Sequence, residues 1–227
     1  MFDMVISLGH CCQTAQHLRR MMIHSGTMPF DWVISSANGV ADAIESDFDG
    51  ILCPEQLELR EDRVIDHRFG FAYIHEFPIR AGFLLAHARV RRRQELLIGR
   101  FRNAMASAAR ILFVRHEARG IDVRGAVERL VNAVARHRPR PSFHLLFLSE
   151  AGAPNSDLIS ETVSSVHIEP AFAGAADRWD AVFNAVHKGT PIRAYYPGLV
   201  RAVERAPSNL RAPIQKIIGT SRRRLMR

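Results

Sequence analysis

Six consecutive residues near the start of the chain combine a sharp turn with two thiols. Residues 7–12 read Ser-Leu-Gly-His-Cys-Cys and follow a short apolar run. Gly9 permits a tight turn, and Cys12 then lies in the first turn of a helix, where unpaired N–H groups and the helix dipole favour a thiolate or an oxyanion. The pattern predicts a nucleophile at Cys12, or an anion site at Gly9 and His10. A cysteine that only packs the first turn is the simpler alternative.

A histidine and a carboxylate further along the chain could complete a thiol site. His75 directly follows a strand candidate over residues 71–74, and on a continued strand Tyr73, His75 and Phe77 would share one face. His75 could then act as the general base for Cys12. Asp31 stands between two aromatic residues. It could orient His75, or it could be a structural residue that caps a turn.

The elements that must position these residues follow from the hydrophobic pattern. Strands are predicted over residues 4–8, 63–66, 71–74, 111–114, 144–148 and 163–168, and helices over 11–22, 36–48, 83–108, 124–137 and 177–187. Short apolar strands that alternate with helices predict an α/β fold with three layers, in which a largely parallel sheet carries helices on both faces.

The carboxyl ends of the predicted parallel strands are the expected place for a ligand. Three such ends carry polar residues: 7–12, 115–117 and 149–152. Arg115 directly follows the apolar run 111–114, so the sequence predicts that it binds an anionic substrate. His116 and Glu117 extend that polar cluster.

Composition and charge limit the possible classes of protein. The chain has 227 residues, of which 47% are hydrophobic and 24% charged, which excludes a disordered protein. Most of the net charge of +8 lies in residues 199–227. We therefore expect one domain over residues 1–198 and a basic tail over 199–227. The tail could contact an acidic partner or a membrane surface, although no specific nucleic-acid motif is present.

Several standard sites are missing from the sequence. The three cysteines form no Cys-x-x-Cys pair, and no His-Glu-x-x-His or glycine-rich nucleotide motif occurs, so neither a metal nor a cofactor is predicted. No apolar run approaches the ~20 residues of a membrane-spanning helix. The first apolar stretch is too short for a signal peptide. These features lead us to expect a cytoplasmic protein.

Four motifs together carry a resemblance to a known family. They are SLGxxCxxAxxL from Ser7, PFDW from Pro29, HEF from His75 and ILFVR from Ile111. Over roughly residues 4–150 the chain resembles a bacterial family of unknown function that is described as papain-like cysteine peptidases. The resemblance implies that Cys12 is the family's cysteine and His75 its histidine. It also adds an α+β papain-like fold as the alternative fold class.

Three functional hypotheses follow, and the first, an enzyme, is preferred. It is a cysteine-dependent hydrolase or acyl-transfer enzyme that acts on a peptide, amide or other acyl substrate. In this hypothesis Cys12 is the nucleophile, His75 is the base, and Asp31 is an orienting or structural carboxylate. The second is a transferase for surface polysaccharides or their nucleotide-sugar donors, with Arg115 and the Gly9 loop holding phosphate. The third is a non-enzymatic anion-binding module whose basic tail docks on a membrane or nucleic acid.

Overall fold

The structure, a computed structural model, contains two sheets and four α-helices within the residues it describes. These residues are 2–78, 83–117, 122–138, 142–149, 163–167, 179–180 and 182–183. The strands are β1 (Met4–Ser7), β2 (Val33–Ile34), β3 (Leu57–Arg60), β4 (Arg63–Asp66), β5 (Phe71–Tyr73), β6 (Ile111–Glu117), β7 (Phe143–Ser149) and β8 (Val163–His167). The helices are α1 (Cys12–Arg20), α2 (Ala37–Glu45), α3 (Phe83–Ala106) and α4 (Val123–His137), with a 3₁₀ turn at Pro54–Gln56. Residues 179–180 and 182–183 are also helical.

The first sheet is parallel throughout and has the strand order β1-β6-β7-β8. Its register pairs Ile6 with Phe113 and Phe113 with Leu145. Because β6 runs three residues beyond the last pair with β1, its end stands beside the loop that follows β1. The predicted α/β class with a largely parallel sheet is confirmed.

Helices cover both faces of the parallel sheet, as the sequence predicts. Phe113 on β6 belongs to the same hydrophobic cluster as Leu130 of α4. Its neighbour Leu112 points to the opposite face and belongs to a second cluster with Leu18 of α1 and Trp179. Successive residues of one buried strand therefore serve two separate layers, which explains why the strands have no polar alternation.

The second sheet is antiparallel, with the order β2-β5-β4-β3. The sequence predicts β4 and β5 but neither β2 nor β3, because β2 has only two residues and β3 carries the charged Glu58 and Arg60. β5 ends at Tyr73. The prediction that His75 and Phe77 share a strand face with Tyr73 is therefore wrong, since both lie in a bend.

The basic tail predicted over residues 199–227 lies outside the described residues. The chain divides into two compact units, Met1–Pro191 and Ile192–Arg227, and the second unit is likewise outside them. The boundary at residue 198 stays a prediction. In the part of the chain that the structure describes, no helix combines the length and apolarity needed to cross a membrane.

Candidate active site at the carboxyl edge of the parallel sheet

The loop from β1 to α1 reverses sharply over the end of the sheet. Leu8 continues the strand by donating its N–H to Val114 O at 2.8 Å. Gly9 and His10 then both have positive φ, +81° and +90°. A Cβ on Gly9 would lie 2.8 Å from Phe30 O, so only glycine fits there. The φ of His10 is strained for a residue with a side chain, and such strain is concentrated at functional sites.

Hydrogen bonds fix the turn against its surroundings. Ser35 N donates to His10 O at 3.0 Å, and Thr14 Oγ1 donates to Gly9 O at 3.2 Å. α1 begins directly after the turn at Cys12, with Cys11 as its N-cap in an extended conformation. The Cys11 side chain does not cap the helix. The first N–H groups of α1 are therefore left without a side-chain cap at the edge of the sheet.

The turn brings the side chains of His10 and Cys11 against the end of β6. One ligand atom from each of His10, Cys11 and His116 lies within 4.8 Å of the other two. The two imidazole rings meet edge to face, with centroids 5.1 Å apart. Glu117 Oε1 lies 3.3 Å from His10 Nδ1. We call His10, Cys11, His116 and Glu117 the strand-end cluster.

The members of the strand-end cluster differ in their exposure to solvent. The side chain of His10 is 22% exposed and Cys11 is partly exposed, whereas His116 and Glu117 are buried. A substrate or ion can thus reach the thiol and the first imidazole, while the second imidazole and the carboxylate support them from below.

Arg115 holds the carboxylate of the cluster in place. Its five N–H donors all bond within the protein: to Leu8 O at 2.8 Å, to Ser35 Oγ and O at 3.1 and 2.6 Å, and twice to Glu117 Oε2. The same Glu117 oxygen accepts the N–H of Ala37, the first residue of α2, at 3.1 Å. Glu117 Oε1 is thereby directed at His10.

For both Arg115 and Glu117, burial and the neighbouring charges shift the pKa in opposite directions. Burial lowers the pKa of Arg115, and the negative charges of Glu117 and of the Cys11 thiolate partly offset that effect. For Glu117, burial raises the pKa, but contacts with His10 and Arg115 outweigh it, so the net pKa lies below 4.5. Glu117 is therefore an anion at neutral pH.

The predicted anion-binding role of Arg115 needs correction. The sequence predicts an arginine at the end of the strand that binds a substrate. In the structure Arg115 lies within β6, is fully buried and has no remaining N–H donor. Arg115 positions Glu117 instead, whereas the predicted Gly9 and His10 do form the turn of the candidate site.

The two members of the predicted Cys12–His75 dyad lie in different parts of the fold. Cys12 is the first residue of α1, one position beyond the strand-end cluster. Ser35, which bonds the β1–α1 turn, falls opposite Phe71 at the start of β5 when the register is continued, whereas His75 follows the end of that strand. Among the described residues no hydrogen bond, ion pair or ring contact joins His75 to Cys12. The dyad stays a prediction.

Asp31 has a structural set of partners in the structure. It is fully buried, accepts the N–H of Met28 at 3.2 Å and lies 2.8 Å from His24 Nε2 and 3.7 Å from Arg19. Among the described residues it forms no hydrogen bond or ion pair with Cys12 or His75. These contacts support the structural alternative, in which Asp31 fixes the segment between α1 and β2.

Sequence reasoning missed Cys11 as the clustered thiol. The strand-end rule pointed to both loops, and it named His116 and Glu117 as a polar cluster, but helix position favoured Cys12. No sequence signal separated the two cysteines, because the shape of the turn, with positive φ at Gly9 and His10, cannot be read from the residue types. The third predicted strand end reaches Ser149, and residues 150–152 lie outside the described part.

The sequence matches one family model over residues 3–149, described as "Putative papain-like cysteine peptidase". The chain belongs to this family. The match covers the elements from β1 to β7 and so includes the whole strand-end cluster. No curated protein and no solved structure matches the chain.

Proposed function

We propose that the protein is a cysteine-dependent hydrolase of acyl compounds, with peptides or other amides as the substrate class. The observation that carries the proposal is the approach of the Cys11 thiol to the imidazoles of His10 and His116, within 4.8 Å. Membership of a family described as cysteine peptidases supports thiol chemistry. The choice of Cys11 rests on this cluster alone, because the resemblance assigns Cys12 as the family's cysteine.

His10 is the proposed general base and acid. It is the imidazole that solvent reaches, and Glu117 Oε1 stands 3.3 Å behind its Nδ1. An anion in that position stabilises the imidazolium through its charge, and His10 Nδ1 has no hydrogen-bond partner among the described residues. His116 packs edge to face against His10 and helps to hold the ring.

The reaction divides into two steps. His10 removes the thiol proton, and Cys11 Sγ adds to the substrate carbonyl carbon, whose oxygen becomes an oxyanion. N–H groups in the first turn of α1, which carry no side-chain cap, are suited to that oxyanion. The C–N bond breaks as His10 returns the proton to the leaving amine. Water, deprotonated by His10, then hydrolyses the thioester and releases the carboxylic acid.

The transferase and anion-binding alternatives draw less support from the described residues. Both depend on donors for phosphate or another anion at the Gly9 turn and at Arg115. All five donors of Arg115 are already used within the protein. The cluster instead presents a thiol, two imidazoles and a carboxylate, which suit proton transfer and nucleophilic attack.

The test compares the hydrolytic activity of the chelator-treated, reduced wild-type protein with that of three cysteine variants and two histidine variants. Hydrolysis of fluorogenic peptide amides and p-nitrophenyl esters is measured for Cys11→Ser, Cys12→Ser and Cys53→Ser, and for His10→Ala and His75→Ala. We expect Cys11→Ser and His10→Ala to abolish turnover while melting stays cooperative. Cys53, in the α2–β3 connection, is the matched control, and its variant retains turnover.

The opposite pattern would assign the chemistry to the other thiol. If Cys12→Ser and His75→Ala abolish turnover while Cys11→Ser keeps it, the dyad predicted from sequence is the active pair and our assignment of Cys11 is wrong. Turnover that survives in all the cysteine variants would exclude thiol catalysis altogether.

A further inference from the structure

We propose that His10, Cys11 and His116 form a binding site for one Zn²⁺ ion. The sequence predicts no metal site, because the three residues come from two segments more than a hundred positions apart. The fold brings one donor atom of each within 4.8 Å of the others. One thiolate and two imidazoles are ligands that zinc prefers, and three protein ligands with one open position are typical of accessible zinc sites.

The spacing is close to what zinc requires. With Zn–S near ~2.3 Å and Zn–N near ~2.0 Å, tetrahedral geometry separates ligand atoms by about 3.3–3.6 Å. Side-chain rotations that bring the ligand atoms closer by at most about 1.5 Å reduce the observed upper limit of 4.8 Å to that range. Both Cys11 and His10 are partly exposed, which leaves an entry path and room for a water as fourth ligand.

Groups around the three proposed ligands lie close to the His10 ring, as such groups do in other zinc sites. A zinc-bound histidine normally donates its other ring N–H to a carboxylate, which fixes the ring. Glu117 Oε1 lies 3.3 Å from His10 Nδ1, a buried atom that has no hydrogen-bond partner among the described residues, and Arg115 holds Glu117 through its other oxygen. Binding through Nε2 of His10 is the arrangement that uses this contact.

The local charges also suit a cation of this kind. Arg115 and Glu117 form a buried pair of opposite charges, so their sum is zero. The Cys11 thiolate then contributes the negative charge that faces the ion, and its proton is released on binding. A site with an unpaired buried arginine would repel Zn²⁺, and the pairing with Glu117 removes that repulsion.

Zinc and thiol catalysis use the same sulfur and exclude each other. A Cys11 thiolate that is bound to zinc cannot attack a carbonyl, so zinc is expected to inhibit hydrolysis. This consequence rests on the proposed function. Zinc binding itself does not, because it needs only the three ligands.

The experiment measures metal binding directly. The full chain is reduced, stripped with a chelator, loaded with Zn²⁺ or Co²⁺ and dialysed. We expect one zinc per chain by atomic emission, and a thiolate-to-cobalt charge-transfer band in the Co²⁺ form. Both signals are lost in Cys11→Ser and in His10→Gln, whereas Cys53→Ser, the matched thiol control, keeps them. Zinc also protects Cys11 from alkylation by iodoacetamide.

Two outcomes would overturn the site. One is the absence of the charge-transfer band in wild type; the other is full zinc occupancy in Cys11→Ser. Because His116 is buried and its variants could fail to fold, the partly exposed Cys11 and His10 carry the test, with circular dichroism to show that both variants are folded. If zinc binds as expected but the metal-free protein hydrolyses nothing, the proposed function fails and the zinc site stands.

Discussion

Arg115 and Glu117 form a buried ion pair that supports the strand-end cluster. Arg115 is fully buried and Glu117 nearly so, and their partners are the residues that directly follow β1 and β2 and the first residue of α2. A buried pair of this kind adds little net stability, but removal of one member leaves an uncompensated charge. Its value lies in geometry, since it directs Glu117 at His10.

Arg115→Met is therefore expected to lower the free energy of unfolding by about 3–5 kcal/mol. Without the guanidinium, Glu117 is buried without its counter-charge. The carbonyl oxygens of Leu8 and Ser35 also lose their hydrogen-bond donor. Chemical denaturation measures the change. Arg102→Ala is the control: its pair with Asp47 is exposed, so its loss is expected to cost under about 1 kcal/mol. Equal losses in the two variants would contradict the role of Arg115.

Two helical glycines allow the effect of packing on stability to be measured separately from the effect of helix propensity. Gly39 lies in α2, and a Cβ there would stand 2.1 Å from Phe69 O. Gly99 lies in α3, and its Cβ would meet nothing within 4 Å. Both positions look alike in sequence, because replacement of a helical glycine by alanine normally stabilises a helix by about 0.5–1 kcal/mol.

We expect Gly99→Ala to raise the melting temperature and Gly39→Ala to lower it. The first variant gains helix propensity at no steric cost. The second forces α2 away from the backbone that precedes β5, so the helix and the second sheet can no longer pack as they do. Differential scanning calorimetry on the two variants decides the point. A stabilised Gly39→Ala would show that α2 does not approach Phe69 this closely.

Glu76, in the bend after β5, makes stability depend on pH. Burial raises its pKa above 4.5, and Arg93 offsets only part of this effect. Its Oε2 atom is buried without a hydrogen-bond partner among the described residues. The folded state therefore holds the proton more tightly than the unfolded chain, so stability falls as the pH rises from 4.5 through the raised pKa.

Glu76→Gln is expected to remove that fall in stability. The variant gains relative to wild type as the pH is raised from 4 to 7, and denaturant titrations at several pH values measure the difference. Glu61→Gln, on an exposed turn, controls for the change in net charge. A wild-type-minus-variant difference that does not vary with pH would show that the Glu76 carboxyl is not desolvated in the folded protein.

At the scale of the whole molecule, the basic tail over residues 199–227 differs in composition from the described core. The two hydrophobic clusters that cover the parallel sheet draw on residues between 2 and 183. Residues 199–227 carry eight arginine or lysine residues, one glutamate and two prolines, a composition that can bury little apolar surface.

Truncation after residue 198 is therefore expected to leave melting cooperative and its midpoint within a few degrees of the full chain. Scanning calorimetry of both proteins provides the measurement. Loss of the cooperative transition in the truncated protein would show that apolar tail residues such as Ile214 and Ile217 contribute to the core.

The sequence by itself determined the class of fold and the bounds of most elements. Uninterrupted apolar runs such as residues 111–114 and 144–148 predict buried parallel strands because both of their faces must be covered. Helical periodicity over 124–137 predicts α4 to within one residue. The same reasoning pointed to the carboxyl ends of β1 and β6 as the place for a site, since that rule depends only on strand direction.

Only the tertiary structure decided which side chains meet at that edge. Leu8 and Arg115 are 107 residues apart, and Ser35 lies 80 residues from Arg115; no local pattern encodes such pairings. The choice between Cys11 and Cys12 depends on two positive φ values in the preceding turn, which rest on the space left beside Phe30. Arg115 is a positioning residue because the fold surrounds it with hydrogen-bond acceptors. Since the guanidinium is buried, any of its N–H groups without a partner would destabilise the folded state.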